Sequence, residues 1–123
     1  LPNLNAALGC AQLKRLKNFL KQKRALFMEY KKAFKNIKEV SILSEPKNCT
    51  SNYWLQTLIL KFPNMQLRND ILDYSTKKKI LTRPAWELMH CINYLKKFPR
   101  MNLENSEEMI KKIINLPSSS QLI

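Results

Sequence analysis

The stretch NLNAALGCAQLKRLKNFLKQKRALFMEYKKAFKNI, residues 3–37, decides the architecture. It contains no proline, and Leu13, Leu16, Leu20, Phe27, Tyr30, Phe34 and Ile37 recur at intervals of three, four and seven. That spacing predicts one long amphipathic helix, with Pro2 and Asn3 as its N-terminal stop and cap. Lys14, Arg15, Lys17, Lys21, Arg24, Lys31, Lys32 and Lys35 are expected largely on the opposite side. The first turns differ. From Leu4 to Leu13 no charge occurs, and Ala6, Ala7, Gly9 and Ala11 leave the backbone bare on several faces. A helix of about 35 residues is roughly 50 Å long. A compact chain of 123 residues has a diameter of roughly 35 Å. The helix therefore overhangs its own domain, and its small-residue end is expected to be covered by something beyond this chain.

The 123 residues are enough for one compact domain and too few for two. With 45% hydrophobic and 25% charged residues the composition is that of a globular protein, which can bury enough apolar surface to offset its ordering entropy. The uncharged stretches fall short of the roughly 20 apolar residues that span a bilayer. No charged start, apolar core and cleavage site of a secretory signal is visible. The single glycine, Gly9, excludes the Gly-rich phosphate loops of nucleotide-binding folds. Cys10, Cys49 and Cys91 are odd in number and widely spaced, and His90 is the only histidine. Neither a disulfide framework nor a zinc site is expected; the thiols read as reduced, in a cytoplasmic protein, with Cys10 buried on the helix.

Val40 to Leu43 reads as a short strand, followed by a polar loop over residues 44–52. Tyr53 to Leu60 is the best strand, rich in aromatic and β-branched residues. A helix is predicted from about Gln66 to Lys78 with Asn64 as cap, then a strand from Ile80 to Thr82 stopped by Pro84. Residues 85–100 read as loop with short helical turns. Glu104 to Lys112 places acids first and lysines last, matching a helix dipole. Ile113 to Leu116 is a final strand ended by Pro117, and Ser118 to Ser120 a loose tail. The fold class is thus α+β, a short, mainly antiparallel sheet with the long helix across one face and further helices.

Twenty-two basic against nine acidic residues give a net charge of +13, and residues 1–38 carry ten Lys or Arg against Glu29 alone. Such a face attracts anions, and a basic nucleic-acid-binding module is the alternative it suggests. A lysine-rich solvated face is the favoured reading. His90 could act as an acid or base, yet no nucleophile with its base and orienting acid lies near it in sequence. Arg83, Trp86 and His90 combine a planar cation, an indole and an imidazole within eight residues of a proline-restrained loop, a set that can recognise a ring and an anion together. Equally, Trp86 could fill a core gap and Arg83 be solvated.

Four segments, taken in order, resemble the C-terminal part of the DegT/DnrJ/EryC1/StrS family: residues 1–13 (LPNLNAALGCAQL), Ser51-Asn52-Tyr53-Trp54-Leu55, Thr82-Arg83-Pro84-Ala85-Trp86 through Met89-His90, and residues 114–119 (INLPSS). The resemblance covers essentially the whole chain and looks closest to the branch making amino sugars for bacterial surface glycans, of legionaminic or bacillosamine type. It implies a fold type I, pyridoxal-phosphate-dependent aminotransferase that moves an amino group, usually from glutamate, to a nucleotide-linked keto sugar, commonly as a homodimer. Residues 1–38 would be the long interdomain helix and residues 39–123 the small C-terminal α+β domain. The cofactor lysine, the aspartate facing the pyridine nitrogen and most phosphate ligands would lie upstream of Leu1. No catalytic, cofactor-binding or metal-binding residue is therefore assigned to this chain, no bound cofactor is expected on it, and it is expected to be inactive alone. Arg83, Trp86 and His90 match the family's loop near the substrate mouth and are implied as substrate contacts. Two positions depart from the pattern. Phe98 replaces a common cysteine, and Lys79 stands where relatives usually place glycine, so that turn must change shape or carry strain.

Overall fold

The computed structural model describes residues 2–119 and Leu122. Helix α1 runs over Asn3–Ala33, β1 over Val40–Ile42, β2 over Gln56–Leu60, α2 over Met65–Lys77, β3 over Arg83–Pro84, α3 over Glu104–Met109 and β4 over Ile113–Leu116. Single 3-10 turns occupy Met89–Cys91 and Asn93–Leu95. The strands form one antiparallel sheet in the order β1-β2-β4-β3. Among the described residues, no helix is long and apolar enough to cross a membrane.

Strand alternation sets the core. In β2, Gln56, Leu58 and Leu60 are buried while Thr57 and Ile59 point the other way. Leu58 lies opposite Ile42 on one side and Ile114 on the other, and Ile114 has no exposed surface at all. Phe27 of α1 joins this cluster and stacks on Tyr53 with ring centres 4.2 Å apart. Tyr30 and Phe34 of α1, and Ile71 and Leu72 of α2, pack against it. Both helices thus cover the face that carries Leu58 and Ile114, and α1 crosses it as expected.

The predicted stripe of α1 is only half used. Leu26 and Phe27 are its buried residues, whereas Leu13, Leu16 and Leu20 are 68%, 44% and 40% exposed. Leu4 and Leu8 are exposed too, so the overhang inferred from length is present. Cys10, expected inside, is an exposed thiol for the same reason, and Cys49 and Cys91 are likewise exposed and free. Asn3 does not cap the helix: Pro2 holds the cap position with no side-chain hydrogen bond. At the other end α1 stops at Ala33, not Ile37, because the amides of Lys35 and Ile37 turn back to Lys32 and Phe34 in tighter, three-residue steps.

Asn64 caps α2 as predicted, its Oδ1 accepting from the Leu67 amide. The helix ends in a closed loop: the Lys79 amide donates to Thr76 O and the Ile80 amide to Ser75 O, both at 2.9 Å. That closure needs a left-handed residue after the helix, and Lys79 supplies it at φ 60°. The strand expected at Ile80 to Thr82 lies instead at Arg83–Pro84, since Ile80 is consumed in this closure and only Arg83 and Pro84 reach Asn115 and Ile114 of β4. Pro84 is tolerated because β3 is an edge strand. Helix α3 ends at Met109 instead of Lys112, and its end is tied to α2 by Arg68, whose Nη1 donates to Ile110 O at 2.6 Å.

The chain's C-terminal stretch is anchored, not loose, at Ser118. Lys23 Nζ donates to the Ser118 Oγ at 2.7 Å and also to its carbonyl, and Tyr30 Oη donates to Pro117 O at 2.9 Å. Ser120 lies outside the described residues.

Candidate functional site

Residues facing each other across an antiparallel pair share a face. Arg83 pairs with Asn115, so it lies on the sheet face opposite Ile114 and the helices. Thr57, the other partner of Asn115, is there as well, and its Oγ1 donates to Asn115 Oδ1 at 3.0 Å. Asn115 Nδ2 donates to Pro84 O at 3.4 Å. Both ends of this amide are committed to holding β2, β3 and β4 together. Trp54, Leu55, Arg83, Pro84, Ala85, Trp86, Glu87 and Asn115 surround an open groove of about 700 Å³ on this face.

The groove collects side chains that have nothing to do in the core. Trp86 is 86% and Trp54 69% exposed, and Arg83 is exposed. Trp86 therefore does not fill a core gap. Trp54 belongs to a run read as strand, where alternation from Tyr53 would have made it a strand residue like any other. Local polar contacts prevent that. Ser51 Oγ accepts from the Tyr53 amide and Asn52 Oδ1 from the Trp54 amide, each at 3.0 Å. These side-chain-closed turns hold Tyr53 at φ 46°, turn its ring into the core against Phe27, and leave the next indole outside. The Ser51-Asn52 pair ahead of two aromatics was the signal that could have marked Trp54.

His90 is elsewhere. The structure brings Arg83 and Trp86 together but puts His90 in a second cleft, of about 460 Å³, lined by Leu88, Met89, Leu95, Phe98 and Leu103 among others. There its Nε2 lies 3.0 Å from Glu107 Oε1, joining the 3-10 turn to α3. The loop from Arg83 to His90 thus serves two clefts.

A third polar cluster braces α1 against the loop before β2. Arg24 donates from Nη1 to Glu45 Oε1 at 2.7 Å and from Nη2 to Oε2 at 3.1 Å, and the Ser51 amide also donates to Oε2 at 2.6 Å. The hydrogen bonds from Arg24 and then from Ser51 hold the Glu45 carboxyl down at about 2. Burial lowers the Lys23 ammonium from its ordinary value.

These residues do not fit a pyridoxal phosphate site. Such a site needs a lysine free to reach the cofactor from a desolvated pocket, an acid facing the pyridine nitrogen and a phosphate cradle. Lys23, the lysine whose ammonium is shifted by burial, is committed to the Ser118 and Trp54 carbonyls and the Ser118 hydroxyl. Among the described residues no group of three or more His, Cys, Asp or Glu could hold a metal ion.

Known proteins resemble this chain in sequence and in fold. EpsN of Bacillus subtilis (strain 168), whose name provisionally calls it a pyridoxal phosphate-dependent aminotransferase, is 30% identical over 126 residues, 99% of this chain and 32% of its own length. GDP-perosamine synthase of Escherichia coli O157:H7 is 28% identical over 123 residues, again 99% of this chain and 32% of its own. The chain spans about a third of the length of these curated relatives. Among solved structures, the aminotransferase TlmJ from Streptoalloteichus hindustanus matches with a TM-score of 0.84 at 18% identity, over 96% of this chain and 31% of that one. PseC of Helicobacter pylori, an aminotransferase involved in the biosynthesis of pseudoaminic acid, matches with a TM-score of 0.84 at 21% identity, over 95% and 32%. These two likenesses establish a shared fold, an antiparallel sheet under a long helix. The family pattern extends over residues 1–123, and on that ground the chain belongs to the DegT/DnrJ/EryC1/StrS aminotransferase family.

Proposed function

We propose that this chain is the C-terminal, substrate-facing part of a longer pyridoxal-phosphate-dependent aminotransferase that converts a nucleotide-linked keto sugar into an amino sugar. Residues 1–38 would be the interdomain helix and residues 39–123 the small domain. Glutamate would be the amino donor, and the working unit a homodimer in the cytoplasm. The legionaminic or bacillosamine-type branch of surface-glycan synthesis is the proposed setting. The cofactor, which carries the amino group from donor to acceptor, would be held by parts of the protein outside these 123 residues, and the chain alone would be inactive.

The observation that carries the reading is the pairing of family membership with the groove. Family membership supports the class of reaction, and Arg83 and Trp86 supply a cation and an aromatic plane on one open face. A nucleotide-linked sugar asks for both. Arg83, Trp86 and His90 are therefore proposed as substrate contacts, with His90 acting from the second cleft. The basic-module alternative draws on net charge alone, and no separate observation favours it.

The test uses the enzyme that contains this chain, with its two half-reactions followed separately by stopped flow. Trp86→Ala and Arg83→Ala should slow the half-reaction with the keto sugar by about five- to 150-fold in specificity constant and leave the half-reaction with glutamate nearly unchanged. His90→Ala should do the same if the second cleft also receives sugar. Equal damage to both halves would assign these residues to the fold or the cofactor, and no damage would make them surface packing.

A further inference from the structure

The chain has two tryptophans, and both stand exposed on one groove. Indole is a side chain that folding ordinarily buries for most of its area. The chain beside each ring is, moreover, tied down by hydrogen bonds. The Trp54 carbonyl accepts from Lys23 Nζ at 3.3 Å and from Ser118 Oγ at 2.5 Å, and its amide donates to Asn52. Trp86 follows Pro84, whose carbonyl accepts from Asn115. Among the ring contacts of the described residues neither indole has a partner. The Arg83 side chain has no hydrogen-bond or ion-pair partner among those residues either. Two indole planes and an unengaged guanidinium thus line a groove whose volume falls within the ordinary small-molecule range of about 300–1,000 Å³.

We propose that Trp54 and Trp86 are the two walls of a clamp for the base of a nucleoside diphosphate, with Arg83 receiving the diphosphate. This deepens the reading above and rests on it: it assigns the nucleotide end of the substrate to this groove and gives Trp54 a role. Charge complementarity selects the occupant. An apolar protein segment would bury Arg83 without a counter-ion, at a high desolvation cost, whereas a nucleoside diphosphate offers a flat ring and an anion together. Glu87 also lines the groove, but the chain's net charge of +13 sets a field that favours the anion. Because the Asn115 amide is already committed at both ends, the groove has planes and a cation but few free directional groups. Stacking is tolerant of base identity, so purine and pyrimidine diphosphates are both accepted.

Since Trp54 and Trp86 are the only tryptophans, the intrinsic indole emission of the 123-residue chain reports on this groove and nothing else. Titration with GDP and with UDP should quench it saturably, and pyrophosphate should not. By calorimetry, Trp54→Leu and Trp86→Leu should each weaken nucleotide binding by about five- to hundredfold, with unchanged circular dichroism, and Trp54→Phe should recover most of the loss. Binding of GDP without quenching, or undiminished in Trp54→Leu, would overturn the clamp while leaving the substrate-contact reading to the half-reaction experiment. No binding of either nucleotide would overturn the clamp as well. So would a single-stranded oligonucleotide that binds far more tightly than either diphosphate and is released by salt, or emission that shifts on dilution, which would mean a second copy of the chain covers the rings.

Discussion

Replacing Lys79 by glycine should make the protein more stable. Lys79 sits at φ 60° immediately after α2, where two hydrogen bonds of 2.9 Å close the helix end. An L-residue in this conformation brings Cβ against the following carbonyl and costs roughly 1–2 kcal/mol. Glycine removes that clash but gains freedom in the unfolded chain, which offsets about 0.5–1 kcal/mol of the benefit. Taken from the middle of each range, the net expectation is a stabilisation of about 0.5–1 kcal/mol. With a urea dependence of about 2 kcal/mol per molar, the midpoint rises by roughly 0.3–0.5 M. Lys78 supplies the control, since it precedes Lys79 at φ −85° and ψ 8°, a right-handed conformation any residue adopts. Lys78→Gly should therefore lower the midpoint. Urea unfolding followed by circular dichroism measures both. A Lys79→Gly midpoint equal to or below that of the unmodified chain, at unchanged slope, would refute the reasoning and place the stability of this turn in the lysine side chain.

Stability should fall in acid through Glu45. Its folded-state pKa is depressed to about 2 from 4.5, so its contribution is complete above the ordinary carboxylate range and is lost as pH drops from there towards 2. Glu45→Gln should flatten the thermal midpoint against pH across that window; an unchanged slope would mean other carboxylates control acid unfolding. In the core, Ile114→Ala should cost about 2–5 kcal/mol, because Ile114 is fully buried among Leu58 and its neighbours. Gln56→Met, at a site equally hidden, should cost less than about 1 kcal/mol: the Gln56 Oε1 is buried with no partner, and Lys23 O loses only one donor. Denaturant titrations of the two variants side by side check this contrast.

Periodicity made most elements legible. β4 spans the predicted Ile113 to Leu116, and Asn64 caps α2 as its position before a polar-apolar run implied. What failed depended on contacts distant in sequence or on tight turns. The third strand moved from Ile80 to Arg83 because pairing with Asn115 and Ile114, not strand propensity, decides where a two-residue edge strand forms. Cys10 was expected inside because small apolar residues usually are, but the first half of α1 is almost wholly exposed. Lys79 was legible as trouble: the turn kept its left-handed shape and accepted the strain. At the candidate site, Arg83 and Trp86 were readable from their shared loop, whereas Trp54 required the Ser51 and Asn52 turns that break strand alternation. His90 was separated from them by a bend that sequence proximity conceals, and by Glu107, seventeen residues on.

The overhanging half of α1 makes the helix a lever. From Phe27, where it is gripped, to Asn3 is 24 residues, or about 36 Å at 1.5 Å per residue. A rotation of only about 5° at the grip carries the far end through roughly 3 Å, the width of a backbone hydrogen bond. The fulcrum is not inert: Lys23 and Arg24, one turn before Phe27, hold the Trp54 carbonyl and the Glu45 carboxylate. Motion at the far end is therefore geared down at the fulcrum, and sub-ångström shifts there reach the backbone that carries the Trp54 indole.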